Sequence, residues 1–354
     1  MSNTISTIKT LNILIATHHL IDYAGSETYT YTLAQELSRI GHRVIIYSPL
    51  LGTIANKIIA TCETIKITDE LQKIRNINFD IIHAQHNITA IQARVFFPKT
   101  PMILNVHGVL PALENPPFIN IGLSYYVVVS EEIQKKLIYK GIQTDKIKII
   151  RNFIDTKRFS TKTAINNKLK KVLIISNRLH KNTKTIITRA CKKLSLDYFF
   201  IGGIGNCVWN TEHHINNVDL VITLGRGALE AMSCGRNVIV YDYNGGDGMI
   251  TPESYNEIRQ KNFSGRRYSL MYNEQDLMQE LCKYTSSFGN TNRKIIENNH
   301  SVKKNVRELL NIYLEAIKNP IIQKRFSYCY CKEILSRSLS FIQKIVNKYH
   351  KYVS

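Results

Sequence analysis

A glycine–arginine–glycine turn followed by a glutamate is the most informative pattern in this chain. It lies in VDLVITLGRGALEAMSCGRNVIVYD, residues 218–242, whose two apolar runs around a short helical stretch predict strand, helix and strand. The turn formed by Gly225, Arg226 and Gly227 would direct backbone N–H groups and the positive end of the helix at one point, which makes an anion site. A nucleoside diphosphate would fit there. Glu230 could accept hydrogen bonds from its ribose, and the alternative is a solvated helix glutamate.

Histidines follow two other apolar runs. His107 ends a run just before Gly108, and His83 and His86 flank the end of another in HAQHN. A histidine at a strand end is more often structural than functional when it is considered alone. His83 and His86 would point to opposite faces of a strand, so their spacing does not predict a metal pair.

The elements that position these residues alternate between strand and helix in two series. Apolar runs such as LNILIATHH, PMILNVHG and KVLIISNRL are separated by helical patterns, which predicts parallel sheets covered on both faces. A polar stretch interrupts the rhythm, so we predict a first domain over residues 1–158, a linker over 159–171 and a second domain over 172–300. The expected fold is α/β, with two doubly wound, Rossmann-like domains whose strand ends face one cleft.

Composition narrows the functional classes. The 354 residues are 44% hydrophobic and 21% charged, which is typical of globular domains. Seven cysteines without paired spacing argue against a disulfide framework and a zinc site. The sequence has no apolar run of transmembrane length and no secretion signal, so we expect a cytoplasmic protein. The net charge of +20 favours anionic partners, but no nucleic-acid-binding motif accompanies it.

The C-terminal residues 301–354 are predicted to be helical. Apolar residues recur at helical spacing from residue 302 to residue 317, which indicates an amphipathic helix. The segment from residue 321 onward is strongly basic, with apolar residues interleaved. Such a segment can lie on an anionic membrane surface, or it can pack across another domain with its charges in water.

The ordered set of motifs resembles the GT-B glycosyltransferases, and most closely the large retaining family 4. The resemblance runs from about residue 12 to residue 266. It rests on ILIATHHLIDYAGSETYTYTLAQELSRIGHRVIIYS, FDIIHAQHN, ILNVHG, VVVSEEIQKKLIYKGI, IKIIRNFIDTKRF, LIISNRLHKNTK and the turn motif described above. It implies transfer of a sugar from a nucleotide-sugar donor to a glycan or lipid-linked acceptor, with retention and without a metal.

The resemblance also implies roles for individual residues. Arg178 and a lysine, for which we favour Lys184 over Lys181, would neutralise the leaving diphosphate. Gly25 would let the backbone of the first domain approach that diphosphate. His107 would lie near the transferring sugar.

Three further expectations complete the interpretation. His83 and His86 would line the acceptor side of the cleft. Ile222 occupies the position of the family's first glutamate, which contacts the donor sugar, so the identity of that sugar stays open. The alternatives are a nucleotide-sugar epimerase, a catalytically silent protein of the same fold, and a polyanion- or nucleic-acid-binding protein.

Overall fold

A computed structural model describes residues 9–203, 208–242 and 245–321. The first half of the chain forms a parallel sheet and a small two-stranded sheet. Its strands are β1 (Asn12–Ala16), β2 (His19–Leu20), β3 (Arg43–Tyr47), β4 (Leu50–Leu51), β5 (Lys66–Thr68), β6 (Ile81–Ala84), β7 (Met102–Val106), β8 (Tyr125–Val128) and β9 (Ile147–Ile149). Its helices are α1 (Gly25–Arg39), α2 (Thr53–Thr61), α3 (Asn87–Phe96) and α4 (Glu131–Tyr139).

The seven-stranded sheet places three histidine-bearing strand ends side by side. Its order is β5-β3-β1-β6-β7-β8-β9, and the strand pairs are parallel. β1, β6 and β7 are fully or largely buried, as their continuous apolar runs predict. The segments that follow these central strands therefore meet at one edge of the sheet.

The second series forms a five-stranded sheet in the order β11-β10-β12-β13-β14. Its strands are β10 (Lys171–Ile175), β11 (Asp197–Ile201), β12 (Leu220–Thr223), β13 (Asn237–Asp242) and β14 (Gly245–Met249). Its helices are α5 (Lys181–Lys193), α6 (Thr211–Asn216), α7 (Arg226–Ser233), α8 (Tyr255–Ile258), α9 (Glu274–Leu281) and α10 (Ser287–Asn299). The antiparallel edge strand β14 was not predicted, because its sequence GGDGM is typical of a turn.

Helix α11 (Val302–Lys318) confirms the predicted amphipathic helix and crosses back to the first half of the chain. Its apolar residues, Val306, Leu309 and Tyr313 among them, share a core with α1 and β1. The basic segment predicted to follow lies outside the described residues from position 322 onward. Among the described helices, none is both long and apolar enough to cross a bilayer.

At the end of the first series, the chain passes from the hydrophobic core of the first half to that of the second half. Phe153 packs in the core of the first half, whereas Ile154 and Phe159 pack in that of the second. Ile154 also pairs with Ser301, at the start of α11. The chain thus crosses from one half to the other twice, and the two crossing points lie next to each other.

Candidate functional site

A cavity of about 310 Å³ lies between the two halves of the chain. The first half contributes the residues before and within the first turns of α1, and the second half contributes the carboxyl ends of its strands. The lining includes Tyr23, Gly25, Thr28, Thr32, Arg158, Ser176, Asn177, Arg178, Gly202, Trp209, Thr223, Arg226, Gly227, Glu230 and Asp242. Ligands of open α/β sheets bind at such strand ends. Below we call this space the interdomain cavity.

Two helix N-termini border the interdomain cavity. α1 begins at Gly25 and α7 begins at Arg226, and no side-chain cap occupies either end. Gly225 has a φ of +58°, a left-handed conformation that glycine adopts without strain. A Cβ atom on Gly25 would meet nothing within 4 Å, so the backbone at that point is open to a ligand. Two positive helix ends at one cavity favour the binding of an anion there.

Arg226 connects the two halves of the chain at this cavity. Its Nε donates to Oε1 of Glu230 at 3.1 Å, and its Nη1 donates to the carbonyl oxygen of Phe153 at 3.0 Å. Its Nη2 donates to Oγ1 of Thr32 on α1 at 2.9 Å. The guanidinium therefore fixes the start of α7 against the first half of the chain.

Burial perturbs both members of the Arg226–Glu230 ion pair. Desolvation lowers the pKa of Arg226 and raises the pKa of Glu230. The two charges favour each other's ionised state, and Arg158 also favours the ionised Glu230. The Glu230 carboxylate thus borders the cavity with one oxygen bonded to Arg226 and the other 3.4 Å from Oγ1 of Thr211.

The predicted cations have different positions. The exposed Arg178 borders the interdomain cavity, three residues after the end of β10. Lys184, in the first turns of α5, is not part of the cavity lining, and its Nζ lies 5.0 Å from the centroid of the Phe200 ring. Lys181 does not line the cavity either. The structure therefore brings Arg178, but neither lysine, to the expected anion site.

His107 lies behind the cavity, next to Arg226. Its ring packs edge-on against Tyr29 with 4.5 Å between centroids, and its Nε2 is 2.9 Å from Nδ2 of Asn105. Burial, together with the nearby charge of Arg226, lowers the pKa of His107 to about 4. The imidazole is therefore neutral at pH 7, and its ring is not part of the cavity lining.

This chain resembles known glycosyltransferases in part of its sequence and in its fold. Residues 66–158 match the model of Glycosyltransferase Family 4. HepE from Anabaena in complex with UDP aligns with a TM-score of 0.62 at 14% identity, covering 86% of this chain and 100% of HepE. This chain has the GT-B fold of family 4-like glycosyltransferases. The predicted fold and the predicted resemblance are thereby confirmed, and the match to the family model supports the predicted enzyme class.

Two further GT-B structures align over similar lengths. A glycosyltransferase from Rickettsia africae has a TM-score of 0.60 at 16% identity, with 88% of this chain and 100% of that chain covered. An α-glucosyltransferase in complex with UDP and a 13-mer DNA has a TM-score of 0.59 at 10% identity, with 86% and 100% covered. No curated protein matches this chain in sequence.

Two predicted acceptor residues of the GT-B cleft are buried. His83 has no exposed surface, and its Nδ1 lies 2.7 Å from Oη of Tyr313 on α11. A side chain without exposed surface cannot contact an acceptor, so the structure gives His83 a role in packing instead. His86 is also buried, and its Nδ1 accepts a hydrogen bond from the backbone N–H of His18 at 3.0 Å.

Ile222 does not border the interdomain cavity. It lies within β12, pairs with Ile174 and Ile239 in the neighbouring strands and has no exposed surface. The cavity wall begins one residue later, at Thr223. The position of the family's first glutamate is thus part of the core in this chain.

Several cavity residues were missed by sequence reasoning. The ring of Trp209 packs against Tyr23 and Tyr31 of the first half, and the Arg158 guanidinium lies 4.1 Å from the centroid of the Trp209 ring. At the end of β13, Asp242 accepts a hydrogen bond from Ser176 Oγ at 2.5 Å. The aspartate ending NVIVYD was visible as a polar residue after a buried strand. No local pattern predicts the contacts of Trp209.

In the described ranges, no three histidine, cysteine, aspartate or glutamate side chains are arranged to hold a metal ion. The cations that border the interdomain cavity are the side chains of Arg158, Arg178 and Arg226. Charge neutralisation of a diphosphate at this cavity would come from these side chains and from the two helix N-termini.

Proposed function

We propose that this glycosyltransferase transfers a sugar from a nucleotide-diphosphate sugar to a glycan or lipid-linked acceptor, with retention of configuration. The observation that carries the proposal is the convergence of the α1 and α7 N-termini with Arg178 at the interdomain cavity. Negative charge accumulates on the diphosphate as the glycosidic bond breaks, and these groups would stabilise that charge. HepE and the α-glucosyltransferase were each solved with UDP, so UDP is the first nucleotide to test.

The proposed reaction needs no carboxylate nucleophile. In the front-face attack implied by family 4, the bond from the anomeric carbon to the phosphate oxygen breaks while the acceptor oxygen bonds to the same face. The leaving phosphate takes the proton of the acceptor hydroxyl. Arg178 and the helix N-termini would stabilise the diphosphate, and Glu230 would accept hydrogen bonds from the ribose. The family resemblance implies that His107, a neutral imidazole at pH 7, lies near the sugar, although its ring does not line the cavity in this structure.

Single-turnover consumption of donor tests this proposal. UDP-, GDP-, ADP- and TDP-linked glucose would be incubated with excess enzyme, and release of the nucleoside diphosphate would be followed. We expect one nucleotide class to be consumed slowly by wild type, with water as the acceptor. Loss of a charge-assisted hydrogen bond in Arg178→Ala should slow consumption by about tenfold or more.

Lys184→Ala is the matched control. Both residues are exposed and basic and flank the start of α5, but only Arg178 borders the cavity. The structure predicts a change of less than about twofold for Lys184→Ala, by the same assay. An equal decrease in donor consumption in both variants would show that Lys184 neutralises the diphosphate, as the family resemblance implies. The orientation of its side chain in this structure would then not be the reactive one.

A catalytically silent GT-B protein is the second candidate. The specific observation in its favour is that Ile222 lies in the core where the family has a sugar-binding glutamate. Such a protein would bind the nucleotide and consume no donor. Nucleotide binding by thermal shift without single-turnover consumption of any donor would favour this candidate.

A further inference from the structure

An exposed apolar surface lies on the first half of the chain, away from the cavity lining. Three of the four most exposed large apolar side chains in the described residues are Leu110, Phe118 and Tyr139, which are 67%, 74% and 93% exposed. Ile138 adds a fourth, at 42%. Single exposed apolar residues are ordinary on protein surfaces, but a group of large ones usually marks a site of interaction.

Two lysines connect the loop and the helix that carry these side chains. Leu110 and Phe118 belong to the loop after β7, and Ile138 and Tyr139 belong to the last turn of α4. Lys136 Nζ donates to the carbonyl oxygen of Val109, and Lys140 Nζ donates to Oδ1 of Asn115 at 2.9 Å. The loop is therefore fixed against the helix.

The charges of α4 are divided between its two ends. Glu131 and Glu132, in the first turn, form ion pairs with Arg151 and Arg266 respectively, 20 and 134 residues away along the chain. Both carboxylates are thus neutralised within the protein. The second half of the helix and the residue after it carry three lysines and no carboxylate, namely Lys135, Lys136 and Lys140.

One carboxylate belongs to the loop, but it is turned inward. The Oε2 atom of Glu114 is buried, and burial raises the pKa of this carboxyl to about 7, although the nearby backbone N–H groups of His107 and Gly108 favour its ionised form. At its outer face the region therefore combines exposed apolar side chains with lysines. We call it the apolar–basic face, defined by Leu110, Phe118, Ile138, Tyr139, Lys135 and Lys140.

We propose that the apolar–basic face docks on the surface of an anionic lipid bilayer. Aromatic rings with a polar end are favoured at the bilayer interface, and lysines can extend along apolar surface to reach lipid phosphates. Each lysine near an anionic membrane strengthens binding by about fivefold. The inference goes beyond the proposed transfer reaction and does not depend on it.

Docking here would also orient the enzyme. The loop that carries Leu110 and Phe118 starts directly after His107 and Gly108, next to the predicted sugar site. A bilayer at this face would therefore lie on the side of the cleft formed by the first half of the chain, where an acceptor carried on a lipid would arrive.

Vesicle co-sedimentation of the full chain tests the proposal. Vesicles of phosphatidylcholine alone would be compared with vesicles containing one quarter phosphatidylglycerol, at low and at physiological salt. We expect wild type to bind the anionic vesicles more tightly. The double variant Phe118→Ser/Tyr139→Ser should lose roughly tenfold or more in partition coefficient, and Lys135→Gln/Lys140→Gln should lose at least about fivefold.

The control variant is Phe199→Ser/Met271→Ser. These side chains are 52% and 76% exposed, and both belong to the second half of the chain. The proposal predicts that this control binds the vesicles like wild type, and that all variants unfold at temperatures close to that of wild type. The proposal is overturned if wild type does not bind anionic vesicles, or if it binds and the apolar–basic variants bind equally well. Donor consumption in solution is measured separately, so either proposal can fail alone.

Discussion

The Arg226–Glu230 pair should contribute to folding as one unit. The two side chains are 9% and 11% exposed, and the Nε to Oε1 distance is 3.1 Å. Two unit charges at that distance attract by about 5 kcal/mol at an effective dielectric constant of 20, and desolvation of both groups offsets part of this. Removing one partner leaves the other charge buried and unpaired, which typically costs about 3 kcal/mol or more.

A double-mutant cycle measures the coupling. Glu230→Gln should lower the free energy of unfolding by about 3 kcal/mol because the Arg226 charge loses its partner. Arg226→Met should cost about 4 kcal/mol because hydrogen bonds to Phe153 and Thr32 are lost as well. The double variant should also cost about 4 kcal/mol, not about 7 kcal/mol, because both single variants lose the same ion pair and the double variant loses it only once. The expected coupling free energy is therefore about 3 kcal/mol.

Urea unfolding followed by circular dichroism is the assay. The solvent-exposed pair Arg267–Glu257, whose closest N–O distance is 2.7 Å, provides a control cycle in which we expect no resolvable coupling. Additive costs within about 0.5 kcal/mol for Arg226 and Glu230 would refute the reasoning. The contribution of the Glu230 carboxylate to the free energy of unfolding would then not depend on Arg226.

Three further predictions concern single positions and pH. Gly25→Ala should leave the unfolding temperature unchanged because the added Cβ atom meets nothing within 4 Å. The same variant should weaken UDP binding by about tenfold in calorimetric titrations. An unchanged affinity would place the diphosphate elsewhere. Tyr313→Phe should lower the free energy of unfolding in urea by about 1–3 kcal/mol because buried His83 loses its hydrogen bond to the Tyr313 hydroxyl. The affinity for UDP should stay at the wild-type value. A loss of affinity would contradict a purely structural role for this hydrogen bond. Burial lowers the pKa of His18, His107 and His300 from 6.5 to about 4. The free energy of unfolding is therefore highest above pH 6.5, and it decreases as the pH falls towards 4 because the unfolded chain binds protons that the folded chain does not. At pH 5 the free energy of unfolding is lower by about 2 kcal/mol for each histidine. The unfolding temperature should therefore differ less between pH 7.5 and pH 5.0 in His300→Gln than in wild type. Equal differences would contradict this linkage.

The framework of the fold could be predicted from the sequence because its central strands are continuous apolar runs. β1, β7 and β12 are buried along nearly their whole length, which is what a parallel sheet covered on both faces requires. The turn at Gly225 could be predicted for a similar reason, since its positive φ favours glycine. Local sequence was sufficient wherever the physical cause was local.

The side-chain partners of the site could not be predicted because their causes are distant in sequence. His83 is bonded to Tyr313, 230 residues away, and Arg226 reaches Thr32, 194 residues away. Lys184 follows Arg178 by only six residues, yet the rotation of α5 directs it to Phe200. The contact of Trp209 with Tyr23 likewise depends on how the two halves pack.

The most direct test of the central claim uses the only tryptophan in the sequence. Trp209 borders the interdomain cavity, with its ring centroid 5.1 Å from that of Tyr23. Titration of the full chain with nucleoside diphosphates, beginning with UDP, should give a saturable change in tryptophan fluorescence. The change should require about tenfold more UDP in Arg178→Ala. An unchanged signal with every nucleoside diphosphate, or identical titrations for the variant and wild type, would contradict a diphosphate site in this cavity.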